Sequence, residues 1–315
     1  MENKSRNWFR EILISHTTEQ AESLFIVGTP STTPELSEQK EKHPQPWLFA
    51  RVLLIVFMLY FGFYVGLTFF QNVNFLPGLI ILGAFLVPLS ILVFFWEMNL
   101  PCNISLYRVI MFFMGGGLVS LLYSVILYTF TDGYTNTLVI GFVEETAKLF
   151  ALLTFAARRR YPHILNGILI GAAVGAGFSA FESSGYILMT ALQYGVKVML
   201  NTIFWRAILS PGSHIAWAGL MGAAVMMVKG KGRFKFRSLF HFRFIGIYLL
   251  VILLHALWDT DFPQPFFRAL PLYPIILTIL SWIGIVLFLK KGIRQIVQYP
   301  LENGTNPPEE KETAQ

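Results

Sequence analysis

Long apolar runs separated by short polar breaks occupy most of this chain, and the runs outlast any face that a soluble helix needs to bury. Stretches at approximately 47–70, 75–95, 107–130, 137–157, 162–191, 201–228, 243–260 and 272–291 can each cross roughly 30 Å of hydrocarbon at about 1.5 Å per helical residue. The pattern predicts an all-α fold, a polytopic transmembrane helical bundle of about eight spans. Ser210-Pro211-Gly212 interrupts the sixth run, so its first part, with Trp205 and Arg206, is expected along the interface while residues 212–228 cross. Around the membrane domain, residues 47–291, lie a polar N-terminal tail over 1–46 and a polar C-terminal tail over 292–315. The first tail reads as partly disordered, with a short helix around Trp8 to Phe25. It is not a signal peptide, because the first apolar run begins only at Trp47 and no cleavage-site pattern follows it.

Of the 315 residues, 55% are hydrophobic and 13% charged, far below the charge of a soluble domain, so most of the length does not face water. A formal charge of +6 raises the question of nucleic acid, and the placement of the basic residues answers it in the negative. Arg158, Arg159, Arg160, Lys229, Lys231, Arg233, Lys235, Arg237, Arg243, Lys290, Lys291 and Arg294 all fall on one side of the alternating spans. The other side holds little beyond Lys197, Arg206 and Arg268. Lys and Arg are enriched in cytoplasmic loops, so an integral, multi-pass protein with both termini in the cytoplasm is expected, its partner the lipid bilayer. A lone Cys102 permits no internal disulfide, supplies no metal cluster, and stands in a loop without acid–base partners.

An ionisable side chain at the bilayer centre costs about 2.5–3.5 kcal/mol on the insertion scale, so each one needs a reason. In the fourth span, Glu144, Lys148 and Glu145 fall at about 0°, 40° and 100° of one helical face, with Lys148 in reach of both carboxylates. A self-neutralising cluster would not need the second Glu. In the fifth, Glu182 and Tyr186 are four residues apart, so the phenol can reach the carboxylate or something bound to it. Gly167, Gly171, Gly175 and Ser179 lead into them as a packing seam, expected to bring Glu182 close to Glu145. His214 follows Pro211-Gly212 at a helix start, where a protonated ring is disfavoured. In the seventh, Asp259 is four residues after His255 and is placed to orient its ring.

Depth tests whether these groups belong together. Counted at about 1.5 Å per residue, Glu145, Glu182, His214 and His255 all fall in the outer half of the membrane, which favours one polar site. Carboxylates and imidazoles in a partly dry pocket suit the activation of water, and two Glu with two His (Glu145, Glu182, His214, His255) also suffice to ligate zinc. The residues leave the metal-free and zinc alternatives both open, and the H-E-x-x-H zinc helix is absent. The same groups suit a different class, a proton-coupled transporter or channel. That reading predicts inverted repeats and polar groups through both halves of a path; no repeat is found, and the inner halves of these helices are nearly free of ionisable residues.

Glu144-Glu145-x-x-Lys148, Phe181-Glu182-x-x-x-Tyr186, His214-x-x-x-Ala218 and His255-x-x-Trp258-Asp259, in this order on consecutive spans, resemble the PrsW family of intramembrane proteases. More distantly they are similar to the CAAX prenyl protease superfamily. Over about residues 137–260 the resemblance implies an intramembrane endopeptidase acting on a membrane-anchored protein or peptide. It further implies site-1 cleavage of anti-sigma-factor-like substrates near the outer face, in a bacterial or archaeal cell membrane. Matching positions make Glu144, Glu145, Glu182, His214 and His255 the catalytic candidates, with Lys148, Tyr186 and Asp259 in support. Relatives have been called both metalloproteases and glutamic-type enzymes, and a member that only binds substrate is a further alternative.

Overall fold

The structure, a computed structural model, describes residues 9–39, 43–131, 136–157, 159–260 and 271–298. Among these the chain is helical throughout. Two short helices, α1 (Thr18–Phe25) and α2 (Leu36–Gln39), precede nine longer ones. These are α3 (Leu48–Thr68), α4 (Leu76–Glu97), α5 (Leu106–Tyr128), α6 (Thr137–Ala156), α7 (Ile164–Tyr194), α8 (Val196–Leu209), α9 (His214–Lys229), α10 (Phe242–Trp258) and α11 (Leu272–Val297). Six stretches are long and apolar enough to cross a membrane: Leu48–Thr68, Val73–Glu97, Leu106–Tyr128, Ile164–Tyr194, Val196–Lys229 and Leu272–Val297. Of the other two expected spans, α6 carries three ionisable residues within its 20 and α10 is only 17 residues long. Only 6% of the apolar window of α3 is buried, and a helix so apolar and so bare is stable against lipid, not water.

The centre of the bundle is α7, buried on nearly every side over its first half and packed by α9, α5, α4 and α6. Its small-residue seam works as backbone contact: a Cβ on Gly171 would collide with the carbonyl oxygen of Ala218 in α9. The seam was expected to draw Glu182 toward Glu145 on α6; its partner is α9 instead, so it brings Glu182 to His214. A second close approach joins α6 to α10, where a Cβ on Gly141 would lie 2.8 Å from the carbonyl oxygen of Ile252. One helical turn along from that contact stand Glu145 and His255.

The sixth expected span is broken as its sequence suggests. A 3-10 turn at Ser210–Gly212 separates α8 from α9, and His214 opens α9. At the opposite end of the bundle, Glu97 closes α4 by capping α3: its carboxylate accepts from the backbone N–H groups of Trp47 and Leu48 at 2.8 Å and of Phe49 at 3.0 Å.

Residues 9–39 lie folded on this same end. The His16 ring stacks on Trp47 at 3.9 Å, Phe9 meets Phe49 and Phe94, and Ile12, Ala21, Leu24 and Leu36 pack against the core. Polar composition concealed this docking face, because its apolar residues are few and spaced. Trp8, at the start of the expected short helix, and residues 299–315 of the expected C-terminal tail lie outside the described residues, as do Arg158 and Arg268. The last helix runs to Val297, past the expected end of the span at 291.

Candidate functional site

Four helices deliver the ionisable residues to one place. From α6 come Glu144, Glu145 and Lys148, from α7 Glu182, from α9 His214, and from α10 His255 with Asp259 just past its end. Lys148 is the hub and is fully buried. Its ammonium lies 2.8 Å from Glu145 Oε1, 3.5 Å from Glu144 Oε2 and 2.9 Å from His214 Nδ1, with the Phe178 ring 4.0 Å away. An ammonium only donates, so His214 Nδ1 accepts and Nε2 carries the ring proton. That Nε2 stands 3.2 Å from Glu182 Oε2.

His255 is held from both edges. Its Nδ1 donates to Glu145 Oε1 at 2.8 Å, while its Nε2 faces Asp259 Oδ2 at 3.3 Å and Glu144 Oε2 at 3.6 Å. An imidazole nitrogen turned toward two carboxylates must either carry a proton or share a cation with them. The two imidazoles meet edge to face at 5.1 Å, with the Trp217 indole packed against both rings and donating through Nε1 to Ser281.

A cavity of about 490 Å³ opens onto this cluster. Glu144, Glu182, His214 and His255 line it, with Tyr186, Arg206, Trp258 and Asp259 nearer its rim. Glu145 and Lys148 do not: they are fully buried behind His255 and His214. The residues predicted from sequence therefore assemble, in two layers. Glu144, Glu182, His214 and His255 face the cavity, and Glu145 and Lys148 brace them.

Donor chemistry bears on a metal. Glu144, His214 and His255 each bring one ligand atom to within 4.8 Å of the others. Two imidazole nitrogens and a carboxylate oxygen are donors of the kind zinc takes. This triple differs from the ligand set expected from sequence. Glu145 faces Nδ1 on the far edge of the His255 ring, and Glu182 is paired with Arg206. Zinc would fit these donors once the Lys148–His214 pair has lost a proton, because His214 Nε2 can ligate only without its hydrogen.

Sequence reasoning missed Arg206. Its guanidinium hydrogen-bonds Glu182 Oε2, donates through Nε to Ser183 Oγ at 2.8 Å, and lies 4.4 Å over the Tyr186 ring. The expected partner of Glu182 was Tyr186; Arg206 holds that place, and Tyr186 stacks on the guanidinium. A single Arg inside the apolar stretch Thr202–Leu209 was the available signal. Tyr128, which donates to Glu144 Oε1 at 3.3 Å, carried no such signal.

Comparison with known proteins gives this geometry a family. No solved structure matches the chain. "Protease PrsW" of Shouchella clausii (strain KSM-K16) is 25% identical over 224 residues, covering 68% of this chain and 97% of the relative. The family described as PrsW family intramembrane metalloprotease matches residues 105–287, a range that contains every residue lining the cavity. The chain is an integral membrane protein and belongs to the PrsW family of intramembrane proteases.

Proposed function

We propose that the protein hydrolyses a peptide bond of a membrane-anchored substrate at the cavity wall formed by Glu144, Glu182, His214 and His255, with zinc held by Glu144, His214 and His255. The observation that carries this reading is the convergence of those three ligand atoms at the cavity. Zinc held there would supply Lewis acidity toward water and the scissile carbonyl. The rest is work for the chain's own groups. Glu145, accepting from Nδ1 of His255, fixes that ring with Nε2 toward the cavity, and Lys148 holds the His214 ring in place by donating to its Nδ1. Glu182 is the candidate general base. It takes a proton as the water oxygen adds to the peptide carbonyl carbon, and returns it to the nitrogen as the C–N bond breaks. Arg206 holds the Glu182 carboxylate in line, and Tyr186 and Trp258 border the space for the substrate chain.

The finer reading is site-1 cleavage of anti-sigma-factor-like substrates near the outer face. Its support is polarity: α6, α7, α9 and α10 carry the catalytic groups toward one end and the basic loops at the other, and basic loops favour the cytoplasm. Cleavage of a single-pass reporter by full-length protein in vesicles tests the assignment. Glu144→Gln, Glu182→Gln and His214→Ala are expected to abolish cleavage while inserting normally. Full cleavage by Glu144→Gln and His214→Ala sinks the site. Undiminished cleavage by preparations whose elemental analysis finds far less than one metal per chain sinks the zinc part alone.

A further inference from the structure

About 22 Å from His214 along α9, at the end of the bundle away from the catalytic cavity, lies a second cavity of about 410 Å³. Its walls include Lys229, Arg233, Lys235, Arg237 and His241, with the Ser238 hydroxyl. The loop that builds it is fastened to the α6–α7 connection by a hydrogen bond from Phe234 N–H to the carbonyl of Ala157 at 2.9 Å. That connection adds Arg159 and Arg160, and neither the segment 157–163 nor the segment 228–243 contains an Asp or Glu. The local field is felt by a neighbour: burial first, then Lys231 and Lys229, push His163 down to about 4, so its ring stays neutral.

Beside the cations stand bare aromatics. Phe236 and Phe240 on the connecting turn and Phe242 at the start of α10 are 78%, 67% and 72% exposed, so none of the three is spent on the core. Water would penalise this surface, whereas the boundary between headgroups and acyl chains accommodates ring and cation together. The cavity lies where α9 ends and α10 begins, among basic loops of the kind that attract anionic headgroups.

We propose that this cavity binds the headgroup of an anionic phospholipid, its phosphodiester among Arg233, Lys235 and Arg237, with Phe236 and Phe240 against the acyl chains. Charge complementarity selects an anionic lipid, and the phenylalanines select a lipid over a free anion. The site is independent of the catalytic reading, since none of its residues touches the catalytic cavity.

The test is retention of phosphatidylglycerol against phosphatidylcholine of the same acyl chains by full-length protein, read by native mass spectrometry. Wild-type protein is expected to retain phosphatidylglycerol selectively. Arg233→Gln/Lys235→Gln/Arg237→Gln is expected to weaken that retention by about a hundredfold, at about 1 kcal/mol per cation. Lys290→Gln/Lys291→Gln/Arg294→Gln removes as much charge from exposed positions outside the cavity and is expected to leave retention nearly unchanged. Equal loss in the two triples means diffuse attraction and overturns the proposal. So does equal retention of the two lipids, or displacement of phosphatidylglycerol by millimolar inorganic phosphate. All six substituted side chains are exposed, so both triples are expected to fold; a single Arg237→Gln, weakened by about tenfold at most, checks the trend.

Discussion

Replacing Lys148 by methionine removes the cation on which both layers of the site depend while keeping most of the side-chain volume. Lys148 is fully buried, as is its nearest partner Glu145, so no water replaces the lost contact. Breaking a buried ion pair from one side costs about 3–5 kcal/mol, most of it the penalty of the stranded charge. Here that charge is Glu145, whose second oxygen, Oε2, already lacks a hydrogen-bond partner. The Glu144 contact, at 3.5 Å and beside the cavity, adds less. At about 2–4 °C per kcal/mol, the expected fall in unfolding temperature is about 6–20 °C, measured by thermal denaturation of the purified protein in one detergent. If the stranded carboxylate is the cause, Glu145→Gln/Lys148→Met is expected to unfold above Lys148→Met, with a coupling of about 1–3 kcal/mol. A Lys148→Met protein melting within about 2 °C of wild type, or a double variant as impaired as the sum of the singles, refutes the reasoning.

Other expectations follow from geometry already described. Arg206→Ala frees the Glu182 carboxylate and is expected to lower reporter cleavage by about 10–100-fold, with Arg206→Lys recovering part of it; unchanged cleavage by Arg206→Ala counts against the role given to Glu182. Gly171→Val drives a side chain into the Ala218 carbonyl, so α7 and α9 must separate; cleavage is expected to be lost and protease sensitivity of α9 to rise. Glu97→Gln weakens the cap on α3 and is expected to cost about 1–2 kcal/mol of stability, read as a lower unfolding temperature without change in cleavage. Metal removal by a chelator is expected to lower both cleavage and unfolding temperature, with zinc restoring both; recovery of neither separates structural damage from metal loss.

The sequence revealed the helices, the helix break at Ser210–Gly212 and the identities of the residues that meet, because each is a departure from an apolar background. What it concealed was rotation and pairing. Glu144 and Glu145 are neighbours about 100° apart on α6, and which of them faces the cavity depends on where α10 packs. Gly141 decides that by letting His255 come up beside Glu145, and Gly141 looks like any other glycine in the sequence. The seam on α7 was equally legible as a seam and silent about its partner. Arg206 was visible as a charge and misplaced as a loop cation, because only the fold of α8 back onto α7 brings it to Glu182.

A hydrolase in a bilayer must import its second substrate. Water is scarce among acyl chains, yet peptide cleavage consumes one molecule per turnover. The break between α8 and α9 meets that need on structural grounds alone. Backbone that leaves the helix at membrane depth must find other hydrogen-bonding partners, so it survives only inside protein or along a wet cavity. Ser210 and Ser213 sit at that break and line the cavity, and the Ser210 hydroxyl has no partner of its own. The kink that points His214 at the site thus also turns polar groups toward the cavity, where they favour water, coupling delivery of the nucleophile to the shape of the fold.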